Sequence, residues 1–153
     1  MQQSEGLGMM QKDNRTIAFV CTGNTCRSPM AEAIFNYMAE KNGVCVRAES
    51  FGIATSTGLP VSENSVIACK EIGIDLSGKA STAVADAGIE KYEKFYCMSQ
   101  SHAKMLMQFF LVQPEKIAVL GISDPYGGDI DVYRHCRDDI VNSVKEILKA
   151  YEN

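Results

Sequence analysis

Residues 16–29 read Thr16-Ile-Ala-Phe-Val20-Cys21-Thr-Gly-Asn-Thr-Cys26-Arg27-Ser28-Pro29, and they decide the fold. Thr16 to Val20 is a short apolar run rich in strand formers, ended by Thr-Gly-Asn. From Pro29 a helical pattern takes over. Met30, Ala33, Ile34, Tyr37 and Met38 share one face, and Asn42-Gly43 supplies the stop. A strand, a glycine turn and a helix in immediate succession open an α/β unit.

The alternation continues down the chain. Val44 to Ala48 predicts a second strand, residues 50–61 a Gly/Ser/Thr loop, and Glu63 to Ile72 a helix stopped by Gly73. Lys94 to Met98 predicts a third strand, Ser101 to Phe110 a helix, and Lys116 to Leu120 a fourth strand. Asp131 to Tyr151 predicts a long closing helix striped by Val132, Ile140, Val144, Ile147 and Leu148. The expected fold is α/β and single-domain: a four-stranded parallel sheet flanked by helices on both faces. Such sheets bind ligands at the carboxyl ends of their strands, where the strand order reverses.

Bulk properties fit that frame. With 153 residues the chain is long enough to bury a core without metals or disulfides. Its 46% hydrophobic and 22% charged residues are those of a globular domain. A net charge of -4 with dispersed basic residues argues against a nucleic-acid partner. The longest apolar runs, such as Phe109-Phe110-Leu111-Val112, are too short for a membrane span. Residues 1–14 contain no continuous apolar segment, so no signal peptide is expected there. They read as a flexible N-terminal extension ahead of a domain at 15–153, in a cytoplasmic protein.

Six cysteines stand at 21, 26, 45, 69, 97 and 136. Cys45, Cys69, Cys97 and Cys136 lie in apolar-periodic segments and read as buried free thiols. No Cys-x-x-Cys pair exists, and His102 and His135 are isolated, so no zinc set is expected. Cys21 and Cys26 differ, because they flank the glycine turn.

That turn has the parts of a phosphate loop between strand 1 and helix 1. Phosphate needs several donors converging on its oxygens, and backbone N–H groups at a helix N-terminus supply them. Gly23 is expected to take the positive φ of such a turn. Asn24 tolerates left-handed geometry and can brace the loop with its amide. Arg27 offers a planar fork to two phosphate oxygens, and Pro29 suits the first helical turn. The same donors favour a thiolate at Cys21, and Ser28 can donate a hydrogen bond to that sulfur. A Cys-x5-Arg pair alone is weak; its placement between strand and helix gives it weight.

Attack on a phosphate ester or phosphoramide also needs a proton donor for the leaving group. Asp124-Pro125 follows the fourth strand, on the same sheet edge as Cys21, in a loop shaped by Gly127-Gly128. Asp124 fits that role or an ordinary turn role. Asp129 and Asp131 are better placed to cap the last helix.

The run from Cys21 to Glu32, with Asp124-Pro125-Tyr126 downstream, resembles the low-molecular-weight protein tyrosine phosphatases from about Ile17 to the last helix. The resemblance implies Cys21 as nucleophile, Arg27 as phosphate ligand and Asp124 as general acid and base. It places Thr22, Gly23, Asn24, Thr25, Cys26, Ser28 and Tyr126 around the substrate. Cys26 matches a second loop cysteine that in the family can trap the oxidised nucleophile as a disulfide; the alternative is a small packing residue. Thr25, Met98-Ser-Gln-Ser-His102 and Asp124 to Tyr133 are similar to the family's bacterial protein-arginine phosphatases. There the threonine matching Thr25 favours phosphoarginine; here Thr25 could also be one tolerated residue of a tyrosine phosphatase loop. Phe51 is the only bulky aromatic of residues 50–61, few for gripping a phosphotyrosyl ring, with Tyr126 as the other wall. Ser99 stands where many relatives carry an acidic residue.

The implied partner is a phosphorylated protein or peptide, met by a monomer or weak dimer, with no cofactor or metal required. Two rivals share the loop. An arsenate reductase would need further relay cysteines after Cys97, and residues 98–114 hold none. A non-catalytic phosphate-binding module would show an altered nucleophile or a missing acid, and neither is altered.

Overall fold

Alternation along strand β1 (Thr16–Cys21) builds both halves of the core. Successive strand side chains face opposite ways. Ile17, Phe19 and Cys21 therefore enter one apolar cluster, while Ala18 and Val20 enter another. The computed structural model describes residues 15–152; the extension expected at residues 1–14 lies outside them. Strands β2 (Arg47–Gly52), β3 (Lys94–Cys97) and β4 (Ile117–Val119) complete one parallel sheet in the order β2-β1-β3-β4. The expected fold is borne out.

Helices α1 (Arg27–Lys41) and α5 (Ile130–Lys149) close one face, α1 through Met30, Ala31, Ile34 and Phe35, α5 through Ile140, Val144 and Leu148. Short helix α2 (Glu63–Lys70) joins them through Cys69. Helix α4 (Gln100–Phe109) covers the other face, where Ala103 and Leu106 meet Phe51, Phe95 and Cys97. One-turn helix α3 (Val84–Ala87) adds Ala87. Each fully buried side chain of Phe size contributes roughly 2 kcal/mol over leaving it in water. No described helix is long and apolar enough to cross a membrane.

Several local expectations shift. The second strand runs from Arg47 to Gly52 rather than from Val44 to Ala48. Pairing with β1, Thr16 opposite Arg47 through Cys21 opposite Gly52, overrides the loop-like composition of residues 50–52. The buried stripe of α1 includes Ala31, Phe35 and Ala39, while Tyr37 is exposed, because the helix packs on the sheet and α5 together. On α5, Val132 is exposed and Tyr133 and Cys136 are buried. Cys45 is exposed rather than buried, since it precedes β2 instead of lying within it; Cys69, Cys97 and Cys136 are buried as expected.

Candidate active site

Strand β1 ends at Cys21 and α1 begins at Arg27, so five residues make the turn between them. Arg27 and Ser28 occupy the first helical turn, and no side chain caps the helix there. Its free N–H groups and positive dipole end face the loop, the ordinary makings of an anion site. The loop is tied to its surroundings by backbone bonds. Ile53 N–H donates to Cys21 O and Ala54 N–H to Thr22 O, both at 3.0 Å, and Ser62 N–H donates to Thr25 O at 2.8 Å.

The left-handed position is Asn24, with φ 55°, and not Gly23. A Cβ on Gly23 would meet only Thr25 Oγ1 at an ordinary 3.5 Å. Asn24 holds that conformation with its side chain. Its Oδ1 accepts from Thr82 N–H at 2.8 Å, so Nδ2 is left to donate to Ser28 Oγ at 2.7 Å and Ser50 Oγ at 3.0 Å. Ser50 then donates to Glu32 Oε1 at 2.6 Å, and Glu32 pairs with Lys79 at 3.0 Å. The close approach that needs a glycine is at Gly52. A Cβ there would lie 2.8 Å from Thr22 O and 3.0 Å from the carbonyl carbon of Gly23. The sequence signal was a glycine closing the neighbouring strand.

Cys21 Sγ lies 2.8 Å from Ser28 Oγ and 3.3 Å from the Asn24 N–H. The Arg27 guanidinium is buried and donates through Nη1 to Ile122 O at 2.9 Å, while Nη2 lies 3.8 Å from Asp124 Oδ2. Asp124 uses its other oxygen in a turn, accepting from Tyr126 N–H at 3.1 Å. One oxygen of Asp124 thus serves the turn, and the other faces Arg27. Gly127, at φ 82°, and Gly128, whose N–H donates to Pro125 O, shape that loop. Asp129 caps α5 through Val132 N–H.

A pocket of about 260 Å³ opens above the sulfur, lined by Cys21, Thr22, Gly23, Thr25, Cys26, Arg27, Asp124 and Tyr126. Asn24 and Ser28, expected around the substrate, are fully buried behind the loop and support it. Phe51 belongs to the core against Tyr92 and Phe95, leaving Tyr126, 82% exposed, as the pocket's aromatic wall. Cys26 is a free thiol whose Sγ lies 3.5 Å from Tyr133 Oη. Sequence reasoning missed His102. Buried in the first turn of α4, it places Nε2 2.9 Å from Thr22 Oγ1. Burial, reinforced by the Arg27 charge, pulls its pKa down to about 4. Among the described residues no group of three or more His, Cys, Asp or Glu is placed to hold a metal ion.

The family model described as low molecular weight phosphotyrosine protein phosphatase matches residues 16–153. A protein-arginine-phosphatase of Bacillus subtilis (strain 168) is 32% identical over 142 residues, covering 87% of this chain and 94% of that protein. An arsenate reductase of Brevibacillus brevis is 30% identical over 92% of this chain and 99% of its own length. The crystal structure of a low molecular weight protein tyrosine phosphatase from T. tengcongensis superposes with a TM-score of 0.84 at 30% identity, covering 89% of this chain and 99% of that one. Phosphate loop, sheet order and sequence agree: the chain belongs to the low molecular weight phosphotyrosine protein phosphatase family, a family of cysteine-dependent protein phosphatases.

Proposed function

We propose that this chain hydrolyses phosphoarginine in proteins and peptides, with Cys21 as nucleophile. The observation that carries the chemistry is the convergence of the Cys21 sulfur, the Arg27 guanidinium and the Asp124 carboxylate on one small pocket. In the first step Cys21 Sγ bonds to phosphorus as the bond from phosphorus to the leaving atom breaks. Asp124 gives its proton to that atom, a guanidino nitrogen for phosphoarginine. In the second step Asp124 takes a proton from water, the water oxygen bonds to phosphorus, and the S–P bond breaks to return the thiolate. Arg27 and the loop N–H groups hold the non-bridging oxygens throughout.

The choice of phosphoarginine rests on the pocket walls. A phosphotyrosyl ring is best held between apolar or aromatic surfaces. Here Tyr126 is the one aromatic in the lining, and Thr22, Thr25 and Asp124 surround the mouth with acceptors suited to guanidinium N–H groups. The similar Bacillus subtilis protein carries the name of that activity. We assign the enzyme to the cytoplasm as a monomer or weak dimer; that reducing setting suits the buried free thiols Cys69, Cys97 and Cys136. The similarity to an arsenate reductase raises a second reading, which the thiol positions disfavour. Cys97 is buried in the sheet with its pKa pushed up to about 12, and no cysteine follows it until Cys136.

The deciding experiment compares initial rates on phosphoarginine and phosphotyrosine peptides for the wild type and Thr25→Ile. Phosphoarginine should be preferred by the wild type, with the preference swinging toward phosphotyrosine in the variant. A wild type that prefers phosphotyrosine would overturn the substrate assignment. Residual hydrolysis by Cys21→Ser would overturn the nucleophile.

A further inference from the structure

We infer that His102 is a positioning residue that fixes the hydroxyl of Thr22 at the pocket mouth, where it receives a guanidino N–H of the substrate. The inference rests on the phosphoarginine reading for the identity of that donor, but not for the pairing of His102 with Thr22.

Ser99 is the N-cap of α4 and His102 its third residue, and their side chains and backbones cap one another reciprocally. The ring takes the place that Glu or Gln usually fills, with Nδ1 3.1 Å from the Ser99 N–H. A backbone N–H can only donate, so Nδ1 is the bare nitrogen and Nε2 carries the proton. The helix cap therefore selects the tautomer. Nε2–H, 2.9 Å from Thr22 Oγ1, must donate to it.

The ring also stays neutral. It is buried, and the charges facing it are Arg27, which opposes protonation, and Asp124, which favours it more weakly; the resulting pKa is about 4. No protonation near neutral pH adds a hydrogen at Nδ1, where it would face the Ser99 N–H and break the cap.

Thr22 is held on its other side as well, because its carbonyl accepts from Ala54 N–H at 3.0 Å. Its side chain is exposed and lines the pocket beside Cys21, Arg27 and Asp124. With one lone pair committed to His102, the hydroxyl has one lone pair and one hydrogen left to offer. A guanidinium presents N–H groups around the transferred phosphorus, whereas a phenolic ring presents none. A fixed acceptor at this position discriminates between them.

Four variants test the assignment: Thr22→Val, Thr22→Ser, His102→Ala and His102→Gln. Gln can cap Ser99 through its oxygen while donating from its nitrogen. On a phosphoarginine peptide, Thr22→Val and His102→Ala should each raise KM about fivefold, the size of one neutral hydrogen bond, with kcat nearly unchanged. Thr22→Ser and His102→Gln should restore most of that loss. The double variant Thr22→Val/His102→Ala should be no worse than Thr22→Val alone. Inhibition by inorganic phosphate serves as the check that the loop is intact, and it should be unchanged in every variant. Additive losses, an unchanged KM in Thr22→Val, or no rescue by His102→Gln would overturn the proposal. If His102→Ala does not fold, the contrast of Thr22→Val with Thr22→Ser still decides the role of the hydroxyl. Coupled KM effects in an enzyme that prefers phosphotyrosine would overturn the guanidino assignment and the substrate reading, and leave the pairing standing.

Discussion

Ser28 Oγ lies 2.8 Å from Cys21 Sγ, within reach to donate to a thiolate. The reason lies in Asn24. Thr82 N–H fixes Asn24 Oδ1 as an acceptor, so both Nδ2 hydrogens must donate, one of them to Ser28 Oγ. That bond occupies one lone pair of the Ser28 hydroxyl and holds it beside the sulfur, where its O–H is the donor once Cys21 is a thiolate. Ser28→Ala should therefore lower kcat roughly 10- to 100-fold, the range for a hydrogen bond to a charged group. Single-turnover measurement of phosphocysteine formation checks this, and an unchanged rate would detach Ser28 from the reactivity of Cys21.

Gly52 sets the distance between the end of β2 and the loop. A Cβ there would press on Thr22 O at 2.8 Å and on Thr55 Cγ2 at 2.7 Å, and the backbone contact cannot turn aside. Gly52→Ala should lose about 2 kcal/mol of stability by overpacking and weaken phosphate binding. Urea denaturation and phosphate inhibition, run in parallel, read the two effects. Gly23→Ala, where φ is not positive and the nearest atom lies at 3.5 Å, should be the milder change.

Asp124 divides its carboxylate between a turn and the pocket, so Asp124→Asn should preserve the turn through its side-chain oxygen while losing the acid. Turnover of substrates with poor leaving groups should fall about 10²- to 10⁴-fold. p-Nitrophenyl phosphate, whose leaving group needs less protonation, should suffer less. Equal losses on both substrate types would show that the carboxylate does not deliver the proton.

Acid stability should carry the signature of His102. The folded ring titrates near 4 and the unfolded one near 6.5, so below pH 6.5 the unfolded chain binds a proton that the folded chain refuses. Stability should fall as pH drops from about 6.5 to about 4, by up to roughly 3 kcal/mol, and be flat in this respect above that window. The difference in pH dependence of denaturation between wild type and His102→Gln isolates this contribution from the carboxylates. Parallel curves would mean that the ring protonates freely in the fold.

What was legible in the sequence followed from local chemistry. The loop from Cys21 to Pro29 declares itself because residue types and spacing lie within one turn of chain. Asp124 could be placed on the right edge because every parallel strand exits there. What was hidden depended on distant pairing. The true extent of β2 is set by its register with β1, and this also takes Phe51 into the core. Asn24 holds the left-handed turn only because Thr82, Ser28 and Ser50 bind its amide, which no local rule for glycine anticipates. His102 escaped notice because its partner is 80 residues away and a histidine in a capping box does not match the usual Glu or Gln.

The chain of bonds behind the loop, from Ser28 through Asn24 and Ser50 to Glu32 and Lys79, makes the loop a poor candidate for transplantation. Residues 21–29 grafted onto another strand-helix junction would bring the backbone donors and the guanidinium with them. They would leave behind Ser50 on β2, Lys79 and Thr82, the parts that hold the hydroxyl beside the sulfur. Such a graft would bind phosphate and turn it over poorly. The unit of inheritance for this chemistry is the half-sheet, and a designer borrowing the loop must carry over the neighbouring strand as well.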